Sequence, residues 1–271
     1  MKKLLLFLLV FPILLGSCSS DNDSEGPGNT YLYATQIDRI DFKYGEPDLT
    51  SRQRVLYRIF NEAGYVQSYD SIHVSWVGPI PHKASYKYND KNQIIEETRQ
   101  GLSKERIEYA YNSDGTLSEE KIYSEKGLNE IIKYTYNNGK LVRKDDDNIT
   151  IDVDYFHLYE YNSKGLLSLE NQYNSDESLF YSYKYEYDTN NSLIKKTSIS
   201  PEGKEQVQID YVYKYDGKGR ATELISKKLN GDINITKYIY NYESGLLEKM
   251  DFFDGKTNEQ EYYQEYKYIY K

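Results

Sequence analysis

The chain has 271 residues, of which 34 are Lys or Arg and 43 are Asp or Glu, giving a net charge of −9. That balance disfavours nucleic acid and anionic lipid head groups as partners, since both need clustered basic residues. One cysteine excludes an internal disulfide, and tyrosine, 32 residues of it, dominates a modest apolar content, so any core is built largely from amphipathic rings.

In chain order, Met1-Lys2-Lys3 is a short basic start and residues 4–15 are an apolar run containing Pro12. Twelve residues are too few to span a bilayer comfortably, and the pattern reads as a secretory signal. The run ends in Leu15-Gly16-Ser17-Cys18, which resembles the lipobox of bacterial lipoproteins. The resemblance implies signal removal after residue 17, with Cys18 as the acylated first residue of a mature chain of net charge −11. Several acyl chains on one residue give stable anchoring where one would be marginal.

Residues 18–29 follow as an acidic tether, Ser19-Ser20-Asp21-Asn22-Asp23-Ser24-Glu25, continued by Gly26-Pro27-Gly28-Asn29. An acidic run at this place also looks like the surface-export signal of Bacteroidota lipoproteins. The implied location is the outer membrane, facing the cell surface, with the periplasmic side as the alternative.

Residues 30–271 read as one β-repeat domain. Eight segments pass from a tyrosine-rich strand through an Asn/Asp/Gly turn to a hydrophobic residue, among them YAYNSDGTLS (109–118), YEYNSKGLLS (159–168) and YKYDGKGRAT (213–222). Their starts, from Tyr57 on, lie 23 to 29 residues apart, and a truncated ninth copy stands at YKYIYK (266–271). A sustained period near 26 marks a repeat architecture. Period-two alternation puts two rings on one face, and turn residues such as Asn112-Ser113-Asp114-Gly115 close hairpins. Looser turns midway, such as Pro201-Glu202-Gly203-Lys204, divide each unit into two strands. No stretch has a capped 3.6-residue period. The expected fold is all-β: antiparallel hairpins of period about 26 stacked into a twisted or coiled single sheet, with almost no helix.

Tyr215-Asp216-Gly217-Lys218-Gly219-Arg220-Ala221-Thr222 resembles the YD repeat of rearrangement-hotspot proteins and teneurins, and the other copies are degenerate versions of it. The resemblance covers about 57–271 and implies a spiralling sheet of hairpins.

Candidate sites are few. Trp76, the one tryptophan, sits beside Pro79, Pro81 and His82 in the longest interval between repeats. It reads either as a platform for a sugar or as a plug for the first turn of the sheet. Asp145-Asp146-Asp147 is the densest acidic run; its oxygens suit calcium, but the spacing is not that of an EF-hand, and a solvated loop is the plainer reading. His73, His82 and His157 lack zinc-site spacing. There is neither a Gly-x-Ser-x-Gly elbow nor a phosphate-cradling loop, and near-equivalent repeats argue against catalysis. The sequence therefore points to a binding or scaffold protein without cofactor, recognising a polysaccharide or an envelope protein through its tyrosines. Alternatives are a glycan hydrolase and a structural subunit of an envelope complex. The breaks in the period, around 70–85 and 144–156, are the expected seats of local function.

Cys18→Ser is expected to move the protein from the membrane fraction to the soluble fraction on cell fractionation. A variant still wholly in membranes would refute the lipobox reading.

Overall fold

The computed structural model describes residues 32–75, 78–151 and 153–270. Strands β1 (Leu32–Lys43) and β2 (Glu46–Pro47) and a 3-10 turn at Leu49–Ser51 come first. The repeats then fold as hairpins: β3 (Gln53–Phe60) with β4 (Val66–Ser75), β5 (Gly78–Tyr88) with β6 (Ile94–Gln100), and β7 (Lys104–Tyr111) with β8 (Leu117–Ser124). Next come β9 (Gly127–Asn137) with β10 (Lys140–Asn148), β11 (Val153–Tyr161) with β12 (Leu167–Asn174), and β13 (Leu179–Tyr187) with β14 (Leu193–Ile199). Last are β15 (Glu205–Tyr215) with β16 (Ala221–Lys228), β17 (Ile233–Tyr240) with β18 (Leu247–Asp254), and the half-unit β19 (Gln260–Tyr270), which has no return strand after it in sequence.

The turn chemistry explains each hairpin. Asn162 Oδ1 accepts from the backbone N–H of Lys164 and of Leu166, both at 3.0 Å, while Gly165 takes φ +81°. A type I turn followed by a left-handed residue inserts a bulge. The register accordingly shifts between Glu160 and Tyr161, at the second tyrosine of the repeat. The same shift recurs at Tyr88, Tyr111, Tyr187, Tyr215 and Tyr240.

That second tyrosine also ties one repeat to the one before it. Between β10 and β11 the backbone ladder ends at Arg143 and Leu158. Two residues further on, the Tyr161 hydroxyl donates to the Leu141 carbonyl at 2.8 Å. Tyr111 does the same to Ile94 (2.7 Å), Tyr240 to Ala221 (3.0 Å), Tyr268 to Leu247 (2.9 Å), and Tyr88 to Val66. Each hydroxyl caps a carbonyl that lies past the last ladder pair.

The expectation of a coiled single sheet is overturned by the pairing of β1. This strand lies antiparallel to β19, from Leu32 opposite Tyr270 to Asp41 opposite Tyr262. Its other edge pairs with β3, from Ala34 opposite Ile59 to Arg39 opposite Gln53. Strand β2 touches only the end of β1, so β1 and β3–β19, eighteen antiparallel strands, form a closed ring. The half-unit β19 receives β1 as its missing return strand. Beside the seam Asp38, 3% exposed, accepts from Gln36 (2.7 Å), Lys267 (2.6 Å) and Arg52 (3.2 Å). Burial pushes its carboxyl up, but these donors outweigh it and hold the pKa below the ordinary range.

Closure gives the wall two distinct faces. The repeat tyrosines are half-buried throughout, whereas their alternates Lys87, Ala110, Lys133, Glu160, Lys184 and Lys237 are exposed. Side chains converge on a concave face and splay on a convex one, so the tyrosines line the inside. With strands ~4.8 Å apart and tilted ~40°, an ideal round barrel of eighteen strands would be roughly 35 Å across. Side chains cannot fill that width. Among the described residues only Ala34, Ile40, Ala84, Ile107, Ile132 and Tyr263 are buried hydrophobics, as befits a wall one layer thick.

Tyr161→Phe is expected to lower stability by about 1–2 kcal/mol, the cost of stranding the Leu141 carbonyl. Tyr242→Phe, at a ring 93% exposed, should leave the urea midpoint unchanged. Equal midpoints for the two variants would remove the capping role.

Candidate binding site

Return strands β6, β8, β12 and β18 put the fourth residue from their start on the inner face, against the first tyrosine of the next repeat. At that place Glu97 accepts from Tyr109 (2.8 Å), Glu120 from Tyr134 (2.8 Å) and Glu170 from Tyr185 (2.6 Å). Met250 Sδ takes the same role for Tyr266 at 2.8 Å. In β14 the residue is Lys196, whose ammonium lies 3.7 Å from the centre of the Tyr183 ring. The inner wall is therefore polar along β6–β14 and more apolar along β16–β18, where Leu224, Met250 and Phe252 replace the charges.

The charge network is densest on β10–β12. His157 Nδ1 lies 3.1 Å from Glu170 Oε1, and its Nε2 lies 3.3 Å from Asp146 Oδ2. Lys144 Nζ stands 2.9 Å from Asp146 Oδ1, an ion-pair contact out of hydrogen-bonding alignment. Burial by itself pulls the imidazole down, yet the two carboxylates outweigh it and His157 titrates above its ordinary value. Burial pushes both carboxyls up. His157 and Lys144 nevertheless bring Asp146 below its usual range, and His157 and Tyr185 do so for Glu170. Glu130 differs: burial, reinforced by the Asp146 charge, raises it. Burial lowers Lys196, with Glu170 opposing. His157 joins Asp146 to Glu170 across β10, β11 and β12, while Asp146 Oδ1 is left buried without a hydrogen-bond partner among the described residues.

A separate cavity of about 310 Å³ opens where the turn at 200–204 joins β14 to β15. Tyr181, Tyr183, Ser198, Lys204, Gln206 and Gln208 line it. The Tyr181 and Tyr183 rings meet edge-on at 4.8 Å, and Gln208 Nε2 donates to Ser198 Oγ at 2.7 Å. A second open space, of about 600 Å³, lies over Val212, Ile225 and Lys227.

The residues singled out from sequence fare unevenly. Trp76 lies outside the described residues. His82 is half-buried in β5, its ring against Gly101, where an added Cβ would come within 2.6 Å of Nδ1. The acidic run is not a loop. It lies in β10, so alternation sends Asp145 and Asp147 outward and Asp146 inward. Asp145 binds Arg143 at 2.6 Å, and no metal-holding cluster exists among the described residues. Both period breaks are occupied mainly by strands, β4–β5 and β10–β11. Sequence reasoning passed over Tyr181, Tyr183 and the Asp146–His157–Glu170 network. The first two had a visible signal: residues 181–187 carry four alternating tyrosines where the repeat needs two.

No family model and no curated protein matches the chain. Among solved structures, a porin-like protein from Bacteroides uniformis aligns over 88% of this chain and 98% of its own, at 9% identity and a TM-score of 0.46. A porin-like protein from Bacteroides vulgatus aligns over 88% and 99%, at 12% identity and a TM-score of 0.30. The Photorhabdus luminescens Tc holotoxin pore aligns over 76% of this chain and 14% of its own, at 10% identity and a TM-score of 0.34. The functional reading rests on the residues and geometry above.

The network predicts a pH-dependent stability. The imidazolium contribution is full below about pH 6.5 and is lost as pH rises through the raised folded value. The carboxylate contributions are full above about pH 4.5 and are lost as pH falls through their lowered values. His157→Gln should therefore cost about 1–3 kcal/mol at pH 5.5 and less at pH 8.5, read from urea unfolding at both. An equal cost at the two pH values would contradict a charged His157.

Proposed function

We propose that the chain is a lipid-anchored protein of the outer membrane that works by binding and not by catalysis. It recognises a glycan or a protein of the cell envelope through the tyrosine-rich inner wall of its ring. The observation that carries this is the distribution of side chains between the two faces. The inner face sets tyrosine rings among largely buried charged groups such as Glu97, Asp146, His157 and Glu170, and a ring of that width bounds a space that the wall does not fill. The outer face carries ion pairs, including Lys87–Glu96 (2.7 Å), Lys121–Glu119 (3.1 Å), Lys214–Glu223 (2.6 Å) and Lys249–Asp251 (2.8 Å).

A strand barrel that spans a bilayer needs an apolar outer band about 25 Å tall, and a charge at its midplane costs about 2–4 kcal/mol. The charged outer face favours a ring standing in water, held to the membrane by acyl chains on Cys18 and the tether of residues 18–29. The acidic tether supports the cell-surface side. Against a glycan hydrolase, Glu97, Glu120 and Glu170 are each engaged by a tyrosine hydroxyl, where a hydrolase needs two carboxyls free to face the bond.

Recovering the native protein from a detergent extract is expected to bring an envelope glycan or protein with it. Release of reducing sugar from a co-purified glycan would sink the non-catalytic reading, and recovery of the chain alone would sink the binding reading.

A further inference from the structure

Most tyrosines of the repeat are occupied in building the ring. Tyr185 bonds Glu170, and Tyr161, Tyr240 and Tyr268 cap backbone carbonyls. Tyr181 and Tyr183 are additional. They precede the repeat pair Tyr185 and Tyr187 on the same face of β13, and their rings border the 310 Å³ cavity. Its polar walls are two hydroxyls and two carboxamides, Ser198, Ser200, Gln206 and Gln208, and Phe180, Ile199 and Pro201 supply apolar surface beside them. Of charged residues only Lys204 lines it; no carboxylate does, although acids outnumber bases 43 to 34 in the chain.

We infer that this cavity is a subsite for a neutral saccharide unit, with Tyr181 and Tyr183 packing against the sugar ring and Ser198, Gln206 and Gln208 bonding its hydroxyls. Stacked rings supply contact at low entropic cost. Carboxamides and hydroxyls both donate and accept, which matches a ligand whose every hydroxyl does the same. The volume lies at the lower bound of ligand sites, roughly 300–1,000 Å³, and so fits one or two sugar rings and not a folded partner. A protein ligand would call for a wide apolar patch, and an anionic sugar for more than the one exposed lysine. The inference rests on the binding reading above and narrows it to one ligand class and one place.

The test is affinity electrophoresis of the full chain through gels containing dextran, mannan or laminarin, with polygalacturonate as the anionic control. Retardation is expected in at least one neutral gel and not in polygalacturonate. Tyr181→Ala and Gln208→Leu should each reduce it at least tenfold, while Tyr242→Phe, at an exposed turn outside the inner wall and the cavity lining, should leave it intact. Gln208→Leu removes hydrogen bonds without opening the aromatic packing, which guards against a Tyr181→Ala protein that fails to fold. Retardation unchanged in both cavity variants would overturn the subsite and leave glycan binding elsewhere standing. Retardation by polygalacturonate alone, or by none of the gels, would overturn the neutral-saccharide assignment. A protein recovered from detergent extract would then still support the broader binding reading.

Discussion

The ring depends on a hydroxyl reaching a carbonyl. A hairpin with a bulged turn twists strongly, and the twist draws its neighbour away before the ladder between them is complete. The carbonyls of Ile94, Leu141, Ala221 and Leu247 lie past those ladder ends, and a tyrosine from the following hairpin satisfies each. Phenylalanine would pack as well but leave the carbonyl bare, and serine would be too short to arrive. Tyrosine is the residue that joins an apolar body to a polar tip at that distance. Its abundance is thus first a property of the wall and only then of any ligand.

With the wall held this way, the two faces are free to diverge. Outside, cross-strand and same-strand ion pairs keep the convex surface wet, each contributing little to stability. Inside, the position opposite the first tyrosine varies around the ring: glutamate on β6, β8 and β12, lysine on β10 and β14, leucine or methionine on β16 and β18. A conserved geometry with variable chemistry gives the lumen a polar side and an apolar side. His157 belongs to the polar side, where three strands share one proton-holding network.

The hairpins were legible because their causes are local: Asn112 and Gly115, or Asn162 and Gly165, fix a turn within five residues. Closure was not, because β1 precedes the first repeat and its alternation resembles that of any half-buried strand. Nothing in residues 32–43 names β19 as a neighbour. Asp145, Asp146 and Asp147 misled for a related reason. Three adjacent acids suggest a solvated loop, whereas a strand divides them between two faces and finds each side its own cations. The four alternating tyrosines from 181 to 187 were in plain view but merged with the repeat, since only the hydrogen bonds separate structural rings from additional ones.

The seam has a kinetic side. Every hairpin closes over a few residues, but the Asp38–Lys267 contact joins positions 229 apart. Closing a loop of that size costs about 2 kcal/mol more than closing one of 26 residues, a small penalty paid once. Order matters more than cost. Strand β1 emerges first from any directional synthesis or export, yet it gains its second partner only when β19 arrives. Until then β3 can be paired and β19 cannot, and the growing sheet carries an open edge at β1, where charged residues such as Arg39 and Asp41 help keep it from pairing elsewhere. Eight hairpins are an unfinished sheet with raw ends; the ninth, assembled from the two extremes of the chain, makes folding of the ring an all-or-none event.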